Sequence, residues 1–181
     1  ELTQRIQNKN FQELNGSPLW RHLIEEMKDF DTYVNTDCLD KLRSQGAADF
    51  PNLTLIERSS RHIEWEKNAS QAGSPVLSMT EDFVKSYVPD PDEVVVLTHV
   101  TSPFLRRRTL LDALQKLESG HFKSVHSVQE IRDFCWHSGS SSVEASLPIN
   151  FNPAIVQKTQ DLDPILASKG AFFMFRAGDF L

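Results

Sequence analysis

"EVVVLTHV", residues 93–100, is the run on which the fold turns. Three valines and a leucine in unbroken succession leave no polar face, the mark of a strand buried on both sides in a parallel sheet. Upstream, "VLSMTEDFVKSY" (76–87) sets Val76, Met79, Phe83 and Val84 near one helical face, and Pro89 and Pro91 stop it. Downstream, "TLLDALQKLESG" (109–120) predicts a helix ended by Gly120, and "FKSVHSVQEI" (122–131) a strand with Val125 and Val128 in alternation.

The same rhythm extends outward. Ser17 to Phe30 predicts a helix with Ser17 as N-cap, Pro18 in the first turn, and Leu19, Leu23, Ile24 and Met27 as its apolar stripe. Then come a strand in "DTYVNTD" (31–37), a helix in "CLDKLRSQG" (38–46) and a strand in "LTLIER" (53–58). "GAFFMF" (170–175) is a last strand. Strand and helix in alternation predict an α/β fold with a mostly parallel sheet flanked by helices. Residues 59–74 are polar and carry no assignable pattern. The stretch 132–158, with Trp136, "SGSSS" and "PINFNP", predicts a small hairpin excursion, which serves as a partner surface or as a plain surface loop.

The 181 residues are 39% hydrophobic and 24% charged with a net charge of −6, a composition for a globular domain with a proper core. That charge argues against a broad basic face for nucleic acid. No apolar run is long enough to span a bilayer, and no signal-peptide pattern opens the chain. Cys38 and Cys135 belong to no CxxC pattern and read as reduced thiols of a cytoplasmic protein. The chain opens on loop-like "ELTQR" and stops at "MFRAGDFL", so a single domain over 1–181 lacking its first strand and a C-terminal segment is expected.

In an open parallel sheet, ligands sit where strands end and helices begin. Arg5, Lys9 and Asn10, in "RIQNKNFQELNGSPL" (5–19), are donors suited to triphosphate oxygens; as single residues they read equally well as solvated surface. In "THVTSPFLRR" (98–107), Thr101 and Ser102 follow the buried strand, and Ser102 with Pro103 also suits a helix start. Arg106, Arg107 and Arg108 read as a solvated helix face. Asp37 and Arg58 end two other strands, where surface structure is the favoured reading for each alone. No HExxH, GxSxG or Walker spacing occurs, and no metal ligand is assigned.

Taken in order, "RIQNKNFQELNGSPL", "VNTD", "LIER", "LTHVTSPFL", "SVHSVQEIRDFCW" and "KTQDLDPILASKGAFFMFRAGDF" resemble the blocks of the acylneuraminate cytidylyltransferase family. The resemblance implies a Rossmann-like domain that moves CMP from CTP onto a 2-keto sugar acid, such as a sialic acid, and releases pyrophosphate. It implies that Lys9, Asn10 and Arg5 hold the triphosphate, Lys9 and Arg5 catalytically, and that Arg58 and Asp37 belong to the nucleotide side. Thr101, Ser102 and Gln160 would line the sugar-acid side. So would His99, which stands where relatives carry glutamine. The resemblance further implies Mg²⁺, with ligands expected beyond Leu181, and a homodimer formed through 134–158. Two departures, the absence of the family's glycine-rich loop and of its metal segment, fit an alternative: a non-catalytic nucleotide-binding or partner subunit of the same fold.

Overall fold

The computed structural model describes residues 8–68, 72–138, 147–155 and 157–181. It divides into two compact units, Glu1–Val125 with Ala171–Leu181, and His126–Gly170. Arg5 and most of the serine-rich turn lie outside the described residues.

The first unit begins with a miniature antiparallel pair, β1 (Glu13–Leu14) and β2 (Ser17–Pro18). Asn15 and Gly16 connect them with φ of 51° and 78°, and an Asn-Gly pair tolerates two left-handed residues in succession. The Leu14 carbonyl accepts the Nε2–H of His22 at 2.7 Å, which fastens the pair to α1 (Leu19–Glu26). The helix expected from Ser17 therefore starts two residues later. Ser17 is used in the hairpin, Pro18 occupies the N-cap position, and no side chain caps the helix.

β3 (Thr32–Thr36) and β4 (Leu53–Glu57) form the parallel pair, with α2 (Leu39–Ser44) between them in sequence. The unassigned stretch contains α3 (Ser60–Lys67), followed by α4 (Pro75–Tyr87), whose first turn is capped by the Ser74 hydroxyl accepting from Leu77 N–H. Next come β5 (Val94–Thr98), α5 (Arg107–Glu118) and β6 (Ser124–Ile131). In the second unit β7 (Trp136–His137) and β8 (Leu147–Pro148) pair antiparallel, the expected hairpin excursion. β9 (Ile165–Arg176) and α6 (Ala177–Phe180) end the chain.

The α/β class holds. β5, β9 and β6 hydrogen-bond in that order, and β9 runs antiparallel to β5, so parallel pairing is carried by β3 and β4. The register explains the apolar run. Val95 lies opposite Phe175, and both pack with Val84 of α4. Val96 lies opposite Met174, and both pack with Leu23 of α1, Met27 at its C-cap, and Leu110, Ala113 and Leu117 of α5. Helices thus cover both faces, which is why no residue from Val94 to Leu97 is polar.

α1 serves two cores. Leu23 and Met27 join the cluster just described, while Trp20 and Ile24 pack with Leu42 of α2 and Ala47, against Val34 and Leu55 of the parallel pair. Val100 borders both clusters.

Candidate active site

The first loop is arranged around Phe11. Asn8 (φ 52°) starts a single 3₁₀ turn, Lys9–Phe11, closed by Phe11 N–H to the Asn8 carbonyl (2.8 Å) and Gln12 N–H to the Lys9 carbonyl (3.2 Å). Leu19 N–H donates to the Gln12 carbonyl (2.8 Å), joining the turn to the start of α1. Phe11 packs against the Trp20–Ile24–Leu42–Ala47 cluster, and the Lys41 ammonium stands 4.3 Å from the centre of its ring. With Phe11 held inward, Lys9 and Asn10 remain exposed.

Beyond the carboxyl end of β5 the chain turns twice. Ser102 N–H donates to the His99 carbonyl (2.9 Å), and Leu105 N–H to the Ser102 carbonyl (3.1 Å). Leu105, 7% exposed, anchors this bend in the core and leaves Thr101 at the surface and Ser102 half-buried. His99 keeps an open face, yet its imidazole is held below the ordinary value of 6.5, first by desolvation and second by the charge of Lys9. Phe11 of the first loop and Val100, just past β5, both pack on the Trp20–Ile24–Leu42–Ala47 cluster, so the first loop and the end of β5 rest on one core. Of the predicted site residues, His99 and Ser102 are joined through the backbone of this bend, and His99 lies within reach of the charge of Lys9.

The helix start expected at Ser102 and Pro103 is instead this bend, and α5 begins at Arg107. Its N-terminus is capped from α1: Glu26 accepts the backbone N–H of Arg107 at 2.9 Å and the guanidinium of Arg106 at 2.7 Å. Those contacts, the backbone one first, hold the Glu26 carboxyl below its ordinary value of 4.5. Arg107 pairs with Asp29 at 3.0 Å.

Arg58 is differently placed. Its Nε donates to Asn35 Oδ1 (3.1 Å), Nη2 to the Asn35 carbonyl (2.9 Å) and Nη1 to Glu66 Oε2 (2.8 Å). Its side chain is 22% exposed, so the fork clasps the carboxyl ends of β3 and β4 to α3. Asp37 is exposed and accepts the thiol of Cys38 at 3.3 Å. That thiol is pushed up chiefly by desolvation and then by Asp37. Gln160 belongs to the second unit, where its carbonyl accepts from Arg132 Nη1 at 3.3 Å.

Sequence reasoning passed over Lys41 and Glu66. Lys41 sits in the first turns of the helix after β3, on the side where ligands gather, a positional signal it shares with many solvated lysines. Glu66 gave no signal at all, because α3 itself was not recognised. Among the described residues no three His, Cys, Asp or Glu side chains come together in a way that could hold a metal ion.

Helices on both faces of the sheet, with hydroxyls and an imidazole beyond the carboxyl end of β5, define a Rossmann-like α/β fold. The crystal structure of 4-diphosphocytidyl-2C-methyl-D-erythritol synthase superposes with a TM-score of 0.54 over 94% of this chain and 71% of that one, at 11% identity, a likeness of fold. In sequence, the chain is 27% identical over 144 residues to the N-acylneuraminate cytidylyltransferase of Oncorhynchus mykiss, and the resemblance to that family is borne out. The match covers 72% of this chain and 33% of the curated relative. No family model matches the chain.

Proposed function

We propose that this chain is the nucleotide-binding part of a cytidylyltransferase that transfers CMP from CTP to a 2-keto sugar acid such as a sialic acid. The observation that carries the reading is the common footing of the turn that exposes Lys9 and of the chain just past His99, with Phe11 and Val100 packed on one cluster and the charge of Lys9 felt at His99. The anomeric oxygen of the sugar acid attacks the α-phosphorus. A new O–P bond forms as the bond to the β-phosphate oxygen breaks, pyrophosphate leaves, and the hydroxyl proton passes to solvent. Lys9, with Asn10 and Arg5, neutralises charge building on the departing phosphates, and Arg58 and Asp37 border the nucleotide. His99, held mostly in its neutral form near pH 7, joins Thr101 and Ser102 in binding the sugar acid.

Mg²⁺ is part of the reading, as the ion that neutralises phosphate charge in such transfers. The described residues do not form a cage for it, so no step is derived through the metal. The same reading places the protein in the cytoplasm as a homodimer joined through 134–158. Exposed Phe134 and Trp136, beside a hollow of about 340 Å³ lined also by Phe151 and Ile155, support that surface. No helix among the described residues is long and apolar enough to cross a membrane.

The test is pyrophosphate release by the full-length protein with CTP and a set of keto sugar acids. Release that requires both CTP and a sugar acid is expected. Heat of CTP binding without release would select the binding-only relative, and preference for another base would overturn the reading.

A further inference from the structure

We infer that Lys41 is a positioning residue: its ammonium pins the ring of Phe11 and so pre-sets the turn that presents Lys9 and Asn10. A three-residue 3₁₀ turn holds itself poorly. This one starts at Asn8 in the left-handed region, which Asn tolerates but which adds no hold on the residues that follow. Among the described residues of the turn, Phe11 is the side chain that packs on the core, through the cluster that includes Leu42, the neighbour of Lys41.

Lys41 is half-buried, and no carboxylate among the described residues lies within ion-pair distance of it. The carboxylates nearest in sequence are engaged elsewhere, Asp40 with Arg43 at 3.3 Å and Asp37 with the Cys38 thiol. An ammonium 4.3 Å from a ring centre is attracted to the face of the π system. Through Phe11 the contact acts on how often the turn is formed. A site formed part of the time binds more weakly by that fraction, but once ligand is bound it reacts at the same rate. The consequence for catalysis rests on the phosphate-holding role given to Lys9.

The experiment compares Lys41→Met, Lys41→Arg, Phe11→Leu and the Lys41→Met/Phe11→Leu double variant in the full-length protein, with Lys9→Ala as reference. Two readouts are taken: steady-state kinetics in CTP, and amide exchange at Gln12, whose N–H closes the turn. Lys41→Met is expected to speed exchange at Gln12 and raise KM for CTP by factors that multiply to about two- to fivefold, the worth of an exposed cation–π contact, with kcat within twofold. The double variant should be no worse than the worse single, because both remove one contact. Lys41→Arg should restore both readouts, since a guanidinium also stacks on a ring.

Unchanged exchange in Lys41→Met overturns the inference whatever the kinetics show, and so do additive effects in the double variant or failure of Lys41→Arg to rescue. Faster exchange with kinetics unmoved in both Lys41→Met and Lys9→Ala sinks the reading of Lys9 as a phosphate donor and leaves the pinning intact. Faster exchange with only Lys9→Ala impaired overturns the functional half of the inference. Lys41→Met removes a charge at the surface, so the test stands even if Phe11→Leu folds poorly.

Discussion

Two strand ends of the first unit carry cations, and they are built in opposite ways. At the end of β4, Arg58 spends its guanidinium on Asn35 and Glu66. Near the end of β5, Lys9 is exposed and close enough to His99 to help lower its pKa. A cation already holding protein acceptors has few donors left for a ligand, whereas an uncommitted one keeps its hydrogen bonds for an incoming phosphate. The contrast supports the proposal that the reactive chemistry lies beyond β5, and it gives Arg58 the work of a brace. Arg58 can still border a nucleotide through the edge it leaves to solvent.

The largest expected effect sharpens the β5 side. Lys9→Ala in the full-length protein should lower kcat/KM for CTP about 100-fold, the usual cost of a lost donor to transition-state charge. Its unfolding midpoint should barely move, because surface substitutions cost within about 0.5 kcal/mol. Turnover within threefold of the parent would break the comparison.

Next comes the brace. Arg58→Ala should lower unfolding free energy in urea by about 2 kcal/mol, because it removes charge-assisted hydrogen bonds across β3, β4 and α3 and strands a carboxylate. Intact stability with weakened CTP binding would reverse the roles assigned to the two strand ends.

The smallest effect concerns the cap that steadies the start of α5 behind the β5 bend. Glu26→Gln should cost about 1 kcal/mol at neutral pH. Because the folded carboxyl titrates below its ordinary value of 4.5, its contribution is complete above that value and is lost as pH falls through the lower folded one. Melting curves at about pH 7 and pH 3 should therefore show parent and variant converging in acid. An equal gap at both would mean that the cap does not depend on charge.

Most of the framework was legible because its causes are local. The run at 93–100, the stripes at 76–87 and 109–120, and Gly46 at φ 86° each carry their reason within a few residues. The errors share a different origin. Ser17 and Pro18 look like a helix start, but Asn15-Gly16 draws them into a hairpin held by His22. Ser102 and Pro103 look like another, but burial of Leu105 makes a bend there, and the cap of α5 comes from Glu26, 81 residues away. α3 has little apolar periodicity to betray it. Its buried face is His62, 2% exposed, bonded to the N-cap residue Ser59 and to Ser78 of α4, the second a tertiary contact. The site was half legible for the same reason. Residue types announced Lys9 and Thr101, while the commitment of Arg58 depended on Glu66, in the helix that the pattern concealed.

The eight residues of α1 have a consequence for how the first unit comes apart. Because opposite sides of one short rod are the mortar for the β3–β4 pair and for the β5–β9 layer, neither block can loosen while the other keeps its seat. Melting of this unit should be a single concerted event. Damage inflicted at Trp20 should be felt at Met174, which no side chain of the Trp20 cluster needs to touch.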